Sequence, residues 1–171
     1  MLRRLVFMFA AVVHLLLLDQ VVKAAAIFYL KSQPPRVVIE NLFNLAYVEN
    51  RGCAWGMFQG QVWPLAIFAI VALGFLFWKR EALFPVGKLG VIAEMLLYAG
   101  IIGNLVDRLA RQCVIDMFDF HWGIHHFPCF NVADSYITVA ATILIVLGFL
   151  QKKDDGRPSA APKKDGADGH A

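Results

Sequence analysis

Residues 5–30 read LVFMFAAVVHLLLLDQVVKAAAIFYL. Asp19 and Lys23 are the only full charges in this run, and His14 stands alone among aliphatic side chains. A bilayer's hydrocarbon core takes about 17–25 helical residues to cross. Backbone polar groups in lipid must be satisfied within the segment, so the run predicts a transmembrane helix. Three further apolar stretches, at about 62–78, 89–109 and 131–150, meet the same length. The fold expected is an all-α membrane protein with four transmembrane helices in one domain, residues 1–150. Composition agrees. Only 17% of residues are charged, against about 25% in soluble domains, and mean hydropathy is +0.60. A net charge of +3 is too small to argue for nucleic acid as a partner. Three cysteines cannot complete a disulfide framework.

Flanking charges predict the orientation. Arg3 and Arg4 precede the first stretch, Lys79, Arg80 and Lys88 separate the second and third, and Lys152, Lys153 and Arg157 follow the fourth. Basic residues favour the cytoplasmic side. Both termini are expected inside, with extracytoplasmic loops at 31–61 and 110–130. The segment 151–171, rich in Lys, Asp, Gly, Pro and Ala, is expected to be a disordered cytoplasmic tail. Arg3-Arg4, the run Leu5–Leu18 and Ala24–Ala26 also fit a cleavable signal peptide. Against that, Asp19, Gln20 and Lys23 interrupt the approach to a cleavage site, and removal would leave three spans.

Ionisable groups inside a span are costly and mark either function or a paired contact. At about 1.5 Å per residue, Asp19 lies about 21 Å and Lys23 about 27 Å from the inner end of the first span. Asn104 lies about 22 Å along the third, with Asp107 and Arg108 farther out. Asn131 and Asp134 fall in the first turns of the fourth. Three helices thus put polar groups at one depth, near the outer side. Asp19 and Lys23, at i, i+4 with the acid first, have the better orientation for a helical ion pair. A structural contact between helices is the plain reading of that pair.

Asp116 and Asp134 are the carboxylates of most interest. Two antiparallel helices joined by an outer turn can bring them together. Two close carboxylates do not both ionise easily and share a proton. One can then activate water while the other protonates the leaving group. Asp119, in Phe118-Asp119-Phe120, is expected to be an ordinary loop carboxylate.

These residues resemble a known family. NLVDR at 104–108, VID at 114–116 and FPCFNVAD at 127–134 are similar to the signature of the bacterial lipoprotein signal peptidases, or signal peptidase II family. NLAYVENRGCAWG at 44–56 and DQVVK at 19–23 resemble its other motifs, in the same order along the chain. The resemblance implies an aspartic endopeptidase of the bacterial inner membrane, with its active site near the outer leaflet. It would remove the signal peptide of a prolipoprotein just before a diacylglyceryl-modified cysteine, with no metal or cofactor. Its partners would be lipidated prolipoproteins and membrane lipids, and the chain a monomer. By position, Asp116 and Asp134 match the catalytic pair. Asn50, Gly52, Asn104, Asp107, Arg108, Asn131 and Ala133 match residues that bind substrate or support the site, and Asp19 and Lys23 match a structural pair. Val37–Gly60 would form a small extracytoplasmic β-cradle, and the alternation over Leu42–Val48 is compatible with that. The chain departs from the pattern at Ala99, near Cys113 and over His121–His126.

Three other readings compete. Cys113, His121, His125, His126 and Cys129 could ligate zinc in a metal-dependent protease, but they lack a Cys-x-x-Cys pair or a His-Glu-x-x-His helix. Asp19, Lys23, Glu94 and Asp107 could line the path of an ion-coupled transporter, though a path should mark several depths and only Glu94 lies near the inner end. A structural adaptor leaves the placing of Asp116 and Asp134 unexplained. Trp55, Phe58, Trp63, Trp122 and Phe127 fit an interfacial aromatic belt.

Overall fold

A computed structural model describes residues 2–53 and 57–155. In chain order the elements are α1 (Leu2–Leu30), β1 (Arg36–Ile39), β2 (Phe43–Asn50), α2 (Val62–Trp78), α3 (Arg80–Leu83), α4 (Lys88–Arg111), β3 (Val114–Trp122), β4 (His125–His126) and α5 (Val132–Asp155). Trp55 and the tail from residue 156 lie outside the described residues, and α5 runs past the expected start of that tail at 151.

Among the described residues, three helical segments are long and apolar enough to cross a membrane: Leu5–Leu30, Lys88–Arg111 and Val132–Gln151. The apolar α2 has 17 residues, or about 26 Å at 1.5 Å per residue, a little short of a hydrocarbon core of about 30 Å. Pro64 sits in its first turn, where the missing N–H has no helical partner to lose. The helices turn large apolar side chains outward, among them Phe9, Phe28, Phe68, Phe77 and Phe149. Their interior is small or polar, with Ala93, Ala99, Ala133, Asp19, Lys23 and Asn131 all fully covered. That inversion is what a lipid surround permits. At Gly100 and Gly103, α4 meets α5 and α1 so closely that a Cβ would overlap the Ala133 carbonyl in one case and the Asp19 carboxylate in the other.

The small β-cradle expected beside the helices is a four-stranded antiparallel sheet in the order β1-β2-β3-β4. The first loop was expected to form a cradle by itself. It supplies β1 and β2, but half of the sheet comes from the second loop. Gln112 takes a left-handed φ of 59° and its N–H caps the Arg108 carbonyl, so α4 stops and the chain reverses into β3. Ile115, Met117 and Cys113 then pack on Ala26, Val22 and Leu30 at the end of α1. This contact seats the sheet on the helices. Two features bend it. Leu45 pairs with Phe118 and Val48 with Asp116, so Ala46 and Tyr47 oppose Met117 alone in a β-bulge. The consecutive amides of Met117 and Phe118 both donate to the Phe130 carbonyl. β3 therefore departs from strict alternation between Asp116 and Asp119.

Candidate active site

Asn131 immediately precedes α5 and caps it. Its Oδ1 accepts the Asp134 N–H at 3.0 Å, while Asp134 Oδ2 accepts the Asn131 N–H at 3.2 Å. This is a reciprocal capping box, with Asp in the place Glu or Gln usually holds. It leaves the Asn131 amide free to reach sideways. Its Nδ2 donates to Asp116 Oδ1 at 2.7 Å and to Asn104 Oδ1 at 3.2 Å. Asn104, on α4, donates to Asp134 Oδ1 at 2.7 Å. Asn50, at the end of β2, donates to Asp116 Oδ2 at 3.0 Å. Each of the two carboxylates is thus held by two donors, every one of them a neutral amide. Asp116 comes from the strand β3, where an outer turn joining two helices was expected; the sheet carries it to the α5 N-terminus.

Burial and the neighbouring charge of Asp134 push Asp116 up to about 7, against the opposing hydrogen bonds from Asn50 and Asn131. Among the described residues no cation makes an ion pair with either carboxylate. Lys23 is one residue removed, donating to Asn104 Oδ1 at 3.1 Å.

Lys23 is fully buried, and its three donors are all used: Asn104, Asp19 Oδ2 at 3.0 Å and Asp107 Oδ2 at 3.0 Å. Asp19 Oδ1 accepts the Ala133 N–H at 2.9 Å, a donor that the first turn of α5 cannot satisfy itself. Asp107 Oδ2 also accepts the Ile115 N–H at 3.1 Å, fixing the strand one residue before Asp116. The sequence-predicted pair is therefore present, and it ties α1 to α4 and α5.

Gly52 and Arg108 meet on the far side of the loop. Arg108 Nη2 donates to the Gly52 carbonyl at 3.1 Å and Nη1 to the Asn104 carbonyl at 3.3 Å. The Gly52 N–H donates to Asn50 Oδ1 at 2.9 Å, and a Cβ on Gly52 would overlap the Met57 carbonyl. All eleven residues singled out in the sequence fall into this one network or, for Ala133, onto its backbone. Gln20 and Arg111 belong to it as well, each bonded to Asp107. Arg111 stands four residues after Asp107, a helical pairing the sequence could have signalled.

Two cavities flank the carboxylates. One, of about 510 Å³, lies between α4 and α5 and is lined by Asn104, Arg108, Asp134, Ile137 and Val139 among others. The second, of about 610 Å³, lies over the sheet and is lined by Glu49, Gln59, Asp116, Asp119 and His126 among others. Asn50, Cys53, Phe127, Pro128 and Cys129 border both. The expectation that Asp119 is a plain loop carboxylate is corrected: it is buried in β3, where Asn44 Nδ2 donates at 3.1 Å and His126 Nδ1 at 2.7 Å. Burial works to raise Asp119, but these bonds outweigh it and hold the carboxyl below the usual range. Glu94 finds a role at the other end of the molecule. Arg80 grips it with Nε at 2.9 Å and Nη2 at 3.0 Å, pinning α3 against α4.

Comparison with known proteins shows the family of the chain. Residues 11–150 match the family model described as Signal peptidase (SPase) II. A lipoprotein signal peptidase of Clostridium acetobutylicum is 38% identical over 152 residues, covering 88% of this chain and 93% of the relative. One from Fusobacterium nucleatum is 40% identical over 133 residues, covering 77% and 79%. A solved bacterial membrane enzyme superposes with a TM-score of 0.74 at 30% identity, over 90% of this chain and 93% of that one. The chain belongs to the signal peptidase II family, a family of aspartic endopeptidases.

Proposed function

We propose that this protein removes the signal peptide from diacylglyceryl-modified prolipoproteins, cutting before the lipidated cysteine with Asp116 and Asp134 as a water-activating pair. The observation that carries the reading is Asn131, whose one amide group holds Asp116 while its backbone and side chain hold Asp134. Neutral donors orient both carboxylates without stabilising a double negative charge, so the pair retains one proton near neutrality. In the reading, the ionised carboxylate takes a proton from water as the water oxygen attacks the scissile carbonyl. The protonated partner donates to the carbonyl oxygen. Collapse of the tetrahedral intermediate returns that proton, and the departing amine takes up the other. The pair ends with one proton, as it began. No metal or cofactor enters.

The membrane arrangement follows from the same reading. α2, slightly short, serves as a fourth span by modest local thinning of the bilayer. Both termini then lie in the cytoplasm, and residues 151–171 form a cytoplasmic tail after the domain 1–150. The sheet and both cavities lie at the outer leaflet, where the lipid chains of the substrate stay in the bilayer while the peptide bond meets the carboxylates. The protein acts as a monomer among membrane lipids. The direct test is cleavage of a lipidated prolipoprotein in parallel with the same chain lacking the lipid. The reading expects turnover of the first alone, and equal turnover of both would contradict it.

A further inference from the structure

Asp119 and His126 are not accounted for by the carboxylate pair, yet they border the same cavity as Asp116. An ionised carboxylate only accepts hydrogen bonds, so the 2.7 Å contact requires the hydrogen on His126 Nδ1. In the neutral form this places the ring's lone pair on Nε2, where it can accept. Pairing of His121 with His126 across β3 and β4 holds the backbone, and the two rings stack at 4.8 Å. Asn44 braces Asp119 from β2. His126 lines the cavity over the sheet, so an acceptor oriented by Asp119 is placed to meet a donor that arrives there.

The two cavities differ in the substrate part they suit. The cavity between α4 and α5 is lined by Ile137, Thr138 and Val139 and suits a hydrophobic signal segment. The one over the sheet carries Glu49, Gln59, Asp116, Asp119 and His126 and fits a water-soluble polypeptide. We propose that the mature part of the substrate, just beyond the lipidated cysteine, crosses the sheet-side cavity, where His126 Nε2 accepts one of its backbone N–H groups. His126 is then a specificity-determining residue and Asp119 the residue that orients it. This rests on the assignment of the protein as a prolipoprotein-cleaving enzyme.

The test uses the full-length enzyme and two lipidated peptides with the same signal segment. One continues for several residues past the cysteine, and the other ends there as a primary amide. Wild type should favour the longer peptide in kcat/KM by about three- to tenfold, the size of one neutral hydrogen bond. His126→Ala should reduce that ratio toward one, with the change in KM rather than kcat. His126→Gln, whose side-chain oxygen can accept in a similar place, should recover part of it. An unchanged ratio in His126→Ala, or an equal fall on both peptides, would overturn the proposal and leave the peptidase assignment intact. Failure of wild type to cleave either peptide would overturn both.

Discussion

The carboxylate of Asp19 on α1 accepts the backbone N–H of Ala133 at 2.9 Å, one residue before Asp134 on α5. The same carboxylate meets Lys23 at 3.0 Å. A pair that reads as helix glue in the sequence thus also sets where the α5 N-terminus sits. Removing one partner of a buried ion pair costs about 3–5 kcal/mol. Asp19→Ala should lower folded yield and resistance to denaturation together with activity. Denaturation followed in lipid nanodiscs checks this. A fully stable yet wholly inactive variant would mean that Asp19 takes part in the chemistry.

Asn131 separates capping from catalysis. Ser can cap α5 but has no second donor for Asp116 and Asn104. Asn131→Ala should lose about 1 kcal/mol from the cap, and more from the stranded polar partners. Asn131→Ser should recover the cap contribution. Both should lose activity by roughly the same factor, on the order of 10- to 100-fold, as a misplaced catalytic group does. Activity that returned with the helix cap would contradict the bridging role.

The carboxyl of Asp116 gives stability a definite pH dependence. Its folded value of about 7 lies above the ordinary 3.8. Between these values the folded state keeps a proton that the unfolded state has released. The favourable contribution is therefore fully present below about 3.8 and is lost as pH rises through about 7. Asp116→Asn, neutral at every pH, should flatten this decline and be the more stable form at pH above 7. Denaturation midpoints of the two proteins at a series of pH values measure it. A wild-type stability that rises across this range relative to the variant would contradict the assignment.

Topology is checked by reporter fusions. Fusions after Gly87 and Gly156 should read cytoplasmic, and those after Gln33 and Gly123 outside. An outside reading after Gly156 would refute the four-span arrangement.

The helices were legible because lipid imposes one rule on every residue of a span. Asp19, Lys23, Asn104 and Asp107 stood out against that background by the cost of burying them. The half of the sheet that comes from the second loop was hidden for a different reason. Val114–Trp122 carries acids and a histidine in what reads as an outer turn, and its burial depends on α1, nearly a hundred residues earlier. Asp119 looked ordinary because its partners, Asn44 and His126, come from two other strands. Glu94 looked anomalous because its partner Arg80 lies in a charged turn whose docking is not written in local sequence. Asp116 and Asp134 were found by motif. Their common partner Asn131 gives that match a physical reason.

The central claim is that Asp116 and Asp134 act as one proton-sharing pair. The most direct measurement is single-turnover cleavage of a lipidated prolipoprotein by Asp116→Asn and Asp134→Asn, with folding and substrate binding measured on the same preparations. The amide keeps size and hydrogen bonding but cannot take the proton of water or cycle between acid and base. Each variant should fold, bind substrate and show no cleavage, while wild type gives a bell-shaped pH profile whose limbs belong to the pair. Substantial turnover by either folded variant would contradict the account.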